Sequence, residues 1–399
     1  MAVKEKTVVI GVTGSISAYK AADLASRFTQ VGFRVEVIMT EEAVQFITPL
    51  TFRNITGRPV VTTMWDLASE FSVEHVALAE AADIVLIAPA TANIIAKIAS
   101  GIADDMLTCT VLATKAPVVI APAMNDNMWA NEITQENVTR LKKRGFSFVG
   151  PGYGRLASGK MGLGRLTDLD EIYGVTLQVL GKKKGDLAGK KIVVTAGGTQ
   201  EAVDPVRCLT NHSSGKMGYA IAIAARNRGA IVTLISGPTA LPKPAGIKFV
   251  DVKSAEDMLK AVQEATKKAD ALIMAAAVAD FRPAKPSSTK IKRVDIKDLT
   301  LYMEKTPDIL GQVKGDFIRV GFAAESDDVV NNAVDKVKRK GLDLIVANDI
   351  TEKDCGFGTD TNRVTIIDSK GKTEELPLLP KSEVADRILD RVGTLLKKR

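Results

Sequence analysis

The polar residues that could do chemistry stand at strand ends and helix starts. Gly14-Ser15-Ile16-Ser17 lies where an apolar run gives way to a helix, so backbone amides and a favourable dipole are offered to a phosphate. The spacing is not GxGxxG, which argues against a dinucleotide, and an ordinary αβ turn has the same composition. His75, in SVEHVAL, can move protons near neutral pH or serve as a structural hydrogen-bonder. Asn125, in PAMNDNMW, follows a strand end. There a side-chain amide can be aimed at a ligand carboxylate, or can simply make a turn. Lys216, in SSGKMG, opens a second helix. That motif is not a P-loop, because no glycine stands at position 210 and Met217 replaces the Ser/Thr that would hold Mg²⁺. KIKR, residues 290–293, reads on its own as a solvated loop.

The elements that must position these groups repeat one plan. Residues 7–13 are an apolar run, 18–31 a helical pattern and 35–39 a second strand. Residues 192–194, the turn 195–199, the helix 219–228 and the strand 231–235 restart it. The chain therefore predicts an α/β fold with two Rossmann-like domains of mostly parallel sheet, and two sites at carboxyl ends of strands. Domain one spans 1–180, a linker without core-forming residues 181–191, and domain two 192–399. Within the first, 83–88 and 116–121 predict strands and 91–100 a helix with its apolar face on Ile94, Ile95 and Ile98. Residues 151–166 (PGYGRLASGKMGLGRL) read as a long structureless binding loop or lid, after which Asp168 caps a helix to about 180. In the second, Thr306-Pro307 predicts a helix start with Thr as cap, 329–339 a helix, 363–368 with 373–376 a hairpin, and Ser382 the cap of the last helix.

Composition narrows the function classes. Two histidines in 399 residues rule out a multi-histidine metal centre. Cys109, Cys208 and Cys355 lie far apart without CxxC, which argues against zinc sites and disulfides and for a reducing, cytoplasmic setting. No stretch has the length of a signal peptide or membrane span. The net charge of +7 sits largely in Lys182-Lys183-Lys184 and the 396–399 tail. A solvated linker and tail account for it, and the low aromatic content argues against nucleic acid. A dehydrogenase pair on the same fold is disfavoured, since no YxxxK follows a suitable serine and no acidic residue sits at a ribose position.

Taken in order, GSISAYK (14–20), His75, PATAN (89–93), PAMNDNMW (122–129) and the 155–166 loop resemble the flavin-dependent cysteine decarboxylases, specifically phosphopantothenoylcysteine decarboxylase. DPVR (204–207), NHSSGKMG (211–218), AAVADFRP (276–283) and KIKR look like phosphopantothenate–cysteine ligase. The order of halves is that of the bifunctional family of coenzyme A biosynthesis, and the match runs from Val8 to about Leu389.

For the first half, the resemblance implies FMN held by Gly14, Ser15, Ile16, Thr40, Thr91 and Asn93. The family oxidises a C-terminal cysteine thiol to a thioaldehyde, loses CO2, and reduces the ene-thiolate. His75 matches the base or proton shuttle, and Asn125 the group that holds the carboxylate, with Met128 beside it. One position departs from the pattern. The family has Ala-Cys-Gly in its lid, whereas this chain reads Ala157-Ser158-Gly159. A hydroxyl is a far weaker acid than a thiol, so Ser158 with a water, Lys160 or another group of this loop is the expected proton donor. The alternative is a working ligase with an impaired or altered decarboxylase.

For the second half, the resemblance implies that CTP or ATP activates the phosphopantothenate carboxylate as an acyl-nucleotide, which cysteine then attacks. Ala276, Ala277, Asp280, Lys290, Pro307, Asp308, Ile309, Leu310, Phe322, Lys336 and Lys340 match nucleotide contacts. Lys290 would steady charge at the α-phosphate, and Asn211 would position the acyl-nucleotide. Mg²⁺ is implied, held mostly by phosphates and water, with no protein ligands assigned. A homo-oligomer with trimer- and dimer-type interfaces is also implied.

Overall fold

The computed structural model describes residues 6–65, 74–292, 299–325, 336–349, 356 and 358–399. The chain divides into two compact units, Met1–Leu180 and Gly181–Arg399.

The first unit opens with β1 (Thr7–Val12), a 3-10 turn (Ile16–Tyr19), α1 (Lys20–Gln30), β2 (Arg34–Met39), α2 (Glu41–Val44), α3 (Pro49–Thr56) and β3 (Val60–Val61). It continues with α4 (Glu74–Ala81), β4 (Ile84–Ala90), α5 (Ala92–Ser100), α6 (Met106–Ala113) and β5 (Val118–Pro122). Then come α7 (Asp126–Ala130), α8 (Glu132–Lys143), β6 (Ser147–Phe148), β7 (Gly152–Arg155), β8 (Met161–Arg165) and α9 (Leu169–Lys184). The sheet order is β3-β2-β1-β4-β5-β6, and every pairing is parallel.

Both β1 and β4 are buried at every position, which is why they read as unbroken apolar runs rather than alternating ones. Val8, Ile10 and Val12 pack with Leu24, Phe28 and Phe52 on one face, and Val9 packs with Ile94, Ile95 and Leu107 on the other. Gly11 lets α6 close on the strand, because a Cβ there would lie 2.5 Å from Leu107 Cδ1. The chain leaves β1 towards β2 and returns to β4 on the opposite side. The carboxyl ends of β1 and β4 therefore flank a crevice.

The second unit runs through β9 (Lys191–Ala196), β10 (Gln200–Ala202), β11 (Cys208–Thr210), α10 (Lys216–Asn227), β12 (Ile231–Ser236), β13 (Lys248–Asp251), α11 (Ala255–Thr266) and β14 (Ala271–Met274). It continues with β15 (Phe281–Pro283), β16 (Met303–Lys305), α12 (Ile309–Gln312), β17 (Ile318–Glu325) and β18 (Leu344–Asp349). It closes with β19 (Thr361–Asn362), β20 (Val364–Asp368), β21 (Thr373–Glu375), β22 (Leu379–Pro380) and a helix at Lys381–Leu396. The main sheet has the order β13-β12-β9-β14-β17-β18-β20-β21. It is parallel as far as β18, and β20 and β21 add an antiparallel edge. The switch of direction falls between β9 and β14.

The structure corrects several readings of the sequence. Residues 151–166 are not structureless: β7 and β8 form an antiparallel hairpin. Its glycines had masked the alternation that marks a strand. The linker is partly structured, since α9 runs on to Lys184 and Leu187 is fully buried in the second core. Thr306 is not the helix cap. Its hydroxyl donates to the Ala279 carbonyl at 2.5 Å, and Asp308 caps α12 by accepting from the Gly311 amide at 3.1 Å. Ser382 lies inside the closing helix, whose N-cap is Pro380. Of the helix read at 329–339, residues 336–340 are helical and the rest lie outside the described residues, as do Cys355 and Arg293. Among the described residues, no helix is long and apolar enough to cross a membrane.

Candidate active sites

Thr13, buried at the end of β1, fixes the first crevice. Its hydroxyl donates to the Pro89 carbonyl at 2.8 Å and accepts from the Thr91 amide at 3.1 Å. This ties the β1 turn to the end of β4. Gly14 follows, where a Cβ would lie 2.4 Å from Glu42 Cβ; only glycine lets the α2 turn approach so closely. Ser15 caps the 3-10 turn, accepting from the Ser17 amide at 3.3 Å. Thr40 caps α2 through the Ala43 amide, and Thr91 caps α5 through the Ile94 amide, both at 3.3 Å. Asn125 caps α7, its Oδ1 accepting from the Asn127 amide at 2.9 Å.

These residues converge on two cavities. One, of about 250 Å³, is lined by Gly14, Thr40, Thr91, Asn93 and Met128, together with Thr13, Glu42 and Asp105. The other, of about 480 Å³, is lined by Ser15, Ile16, Asn125 and Ser158, together with Lys20, Arg155 and Arg165. The hairpin brings Ser158 there. β8 docks on the Asn125 turn, with the Met124 amide donating to the Gly164 carbonyl at 2.9 Å. Two residues stay outside. His75, on α4, lines neither cavity, and Lys160 sits at the hairpin tip away from both linings. Glu42 and Asp105 lie outside the motifs, and Lys20, Arg155 and Arg165 lie within them but were given no role; their place on the crevice marks them.

In the second unit a cavity of about 500 Å³ gathers Ala276, Asp280, Pro307, Asp308, Ile309, Leu310, Phe322, Lys336 and Lys340. Lys340 makes an ion pair with Asp308. Burial pushes the Asp308 carboxyl up, but the Lys340 ammonium and the Gly311 amide hold it below its ordinary range. Three expected residues lie off this lining. Ala277 bridges the glycine turn after β9, its amide donating to the Gly197 carbonyl at 2.9 Å, and the Asn211 side-chain amide donates to the Ala277 carbonyl at 3.1 Å.

Lys290 sits on an exposed loop that DPVR anchors from behind. The buried Asp204 carboxylate accepts from the amides of Val206 at 2.8 Å, Arg207 at 2.7 Å and Ile291 at 3.2 Å. Arg207 completes the clamp, with Nη2 donating to the Asp204 carboxylate at 2.7 Å and to the Ile291 carbonyl at 2.6 Å. The Lys216 ammonium donates to Asp360 at 2.7 Å and to the Gly358 carbonyl at 2.9 Å. Among the described residues no group of acidic, histidine or cysteine side chains could hold a metal ion.

Fold and crevices define a two-part α/β enzyme, and each part is matched by its own family. Residues 2–181 match the Flavoprotein family, and residues 187–395 match the DNA/pantothenate metabolism flavoprotein C-terminal domain. The chain is 44% identical over 396 residues to the coenzyme A biosynthesis bifunctional protein CoaBC of Vibrio vulnificus (strain CMCP6), covering 98% of each. It is likewise 44% identical over 398 residues to the protein of that name from Bacillus subtilis (strain 168), again covering 98% of each. A solved FMN-dependent cysteine decarboxylase, SpaF, shares 35% identity, covering 44% of this chain and 97% of that one with a TM-score of 0.38. This chain belongs to the coenzyme A biosynthesis bifunctional protein family. It is a flavoprotein with decarboxylase and ligase activities.

Proposed function

We propose that the second unit joins 4'-phosphopantothenate to cysteine through an acyl-nucleotide, and that the first unit decarboxylates the product to 4'-phosphopantetheine. The observation that carries this is convergence. Residues distant in sequence meet around separate cavities, Asn125 with Ser158 in one unit and Asp280 with Phe322, Lys336 and Lys340 in the other.

The flavin is FMN. The hydroxyls of Thr40 and Thr91, the Asn93 side chain and the Gly14 backbone fit a polyol and a heteroaromatic ring, and the Ser15–Ser17 turn fits its phosphate. When bound, FMN supplies the oxidation of the thiol and its later reversal. The chain's own groups do the rest. Asn125 keeps its Oδ1 on a helix amide, so its N–H donors remain for the substrate carboxylate. Ser158 with a water, or Lys160, returns the last proton. His75 lines neither cavity within one chain, and a trimer-type assembly of the first unit brings it to the flavin; a dimer-type contact joins the second units. In the ligase, CTP or ATP enters with Mg²⁺ held mostly by its phosphates and water. Lys336 and Lys340 take the triphosphate, Lys290 the α-phosphate, and Asn211 the acyl-nucleotide. Ser158 stands at the same cavity as Asn125, and no observation favours a chain working as ligase alone.

The test is to supply 4'-phosphopantothenate, cysteine and each triphosphate in turn, following pyrophosphate and CO2. Whichever of Ser158→Ala and Lys160→Ala removes the donor should accumulate the oxidised ene-thiol product. If neither does, the hairpin does not supply the proton.

A further inference from the structure

The two cavities of the first unit differ in the charged residues that line them. The smaller has the carboxylates of Glu42 and Asp105 and no lysine or arginine in its lining. The larger has Lys20, Arg155 and Arg165 and no aspartate or glutamate. Several cations elsewhere in this unit have carboxylate partners: Arg27 with Asp23 and Asp170, Arg34 and Arg58 with Glu36, Lys97 with Asp104 and Asp105. At the larger cavity the only ion pair made by the three, among the described residues, is a loose one of 3.5 Å between Arg165 and Asp168. Arg165 is held in place by shape: it lies across Gly154, where a Cβ would meet its Cδ and Nη1 at 3.2 Å. Three cations around about 480 Å³ without a carboxylate make a site for an anion of more than one charge.

We propose that Arg155 and Arg165, with Lys20 on the same cavity, form the subsite for a phosphate monoester, namely the terminal phosphate of the decarboxylase substrate. This rests on the function proposed above. The reacting carboxylate is a poor candidate for these cations. Its charge leaves as neutral CO2, so pairing it would stabilise the ground state over the transition state. The cofactor's phosphate shares the chemistry, but the Ser15–Ser17 turn already offers it hydroxyls and amides on one wall. Arg155 and Arg165 belong to the hairpin that carries Ser158 on the other.

The experiment compares phosphorylated with dephosphorylated pantothenoylcysteine on the flavin-loaded full chain and on Arg155→Met and Arg165→Met, which keep the aliphatic stems. The preference in kcat/KM for the phosphorylated form should fall about tenfold or more in each variant. The affinity of the flavin-free protein for FMN, read by fluorescence quenching, should stay within about twofold. An unchanged preference overturns the proposal; so does an equal loss of FMN affinity, which would assign the arginines to the cofactor. If the parent protein releases CO2 from neither form, the functional reading has failed. Calorimetry of phosphopantetheine against pantetheine then still decides the subsite, which is overturned if the variants bind both as the parent does.

Discussion

Gly164 offers a sharp test of how the hairpin serves the decarboxylase. In Gly164→Ala the new methyl would lie 2.3 Å from the Met124 carbonyl oxygen, 3.2 Å from the Asn125 carbonyl carbon and 3.3 Å from the Asp126 amide nitrogen. All three are backbone atoms, so no side chain can swing aside. β8 must retreat by about 1 Å to reach ordinary contact distances. That retreat breaks the 2.9 Å bond between the Met124 amide and the Gly164 carbonyl. Overpacking costs about 1–3 kcal/mol and the lost bond about 1 kcal/mol. Together they lower the melting temperature of a unit this size by roughly 4–16 °C. Separating Ser158 from Asn125 by about 1 Å costs on the order of 10²-fold in rate. The assay supplies phosphopantothenoylcysteine directly and follows CO2, with flavin absorbance reporting a folded first unit and pyrophosphate release as an internal control. Gly159→Ala is the comparison. Gly159 has φ +83° with nothing within 4 Å of a Cβ, so only backbone strain of about 1–2 kcal/mol is added. If Gly164→Ala decarboxylates within twofold of the parent and melts at the same temperature, the docking argument is wrong.

Further outcomes follow from the same geometry. Asn125→Asp keeps the cap on α7 but replaces an N–H donor with a charge facing the substrate carboxylate. Melting should be unchanged and CO2 release should fall by on the order of 10²-fold; activity near the parent's would remove Asn125 from that role. Lys340→Met should raise KM for the triphosphate about tenfold or more in the pyrophosphate assay, with direct decarboxylation untouched. An unaltered KM means the ammonium serves Asp308 alone. Burial favours the neutral form of Asp204, yet the amides of Val206, Arg207 and Ile291 and the Arg207 guanidinium hold its carboxyl well below the usual range. A folded pKa below the unfolded one gives stability that is present above about pH 4 and is lost as pH falls through the folded value. Urea unfolding of the parent should therefore weaken more steeply on going below about pH 4 than that of Asp204→Asn. Equal slopes would show that the clamp does not depend on charge.

Both parallel sheets were legible because strands covered on two faces must be apolar throughout, as Ile84 to Ala90 is. The hairpin at 151–166 was not. Its core-facing positions include Gly154, Gly162 and Gly164, chosen for close approach rather than hydrophobicity, so no alternation announced a strand. The cap of α12 was misplaced for a related reason. Thr306-Pro307 has the composition of a helix start, but the Thr306 hydroxyl is drawn to Ala279 on the chain after β14. A contact between segments so far apart leaves no local trace. Motif order named most of the residues that line the second unit's cavity, whereas the difference in charge between the two cavities of the first was invisible. Lys20, Arg155 and Arg165 come from three elements, and only folding removes the carboxylates from their company.

The polar groups on these crevices also carry the fold. Ser15, Thr40, Thr91, Asn125 and Asp308 each accept a backbone amide at the start of a helix or turn. A cap is held in one rotamer by that bond, so its remaining donor or lone pair is aimed before a ligand arrives, and less entropy is lost on binding. The arrangement also limits which substitutions are informative. Alanine at Thr40 or Thr91 removes a cap worth about 0.5–2 kcal/mol as well as a hydroxyl on the cavity, so lost activity cannot be read as lost chemistry. Exchange within the capping set separates the two. Serine at Thr91 preserves the oxygen that accepts from Ile94, and Asp at Asn125 preserves the one that accepts from Asn127, so what changes is the face presented to the cavity.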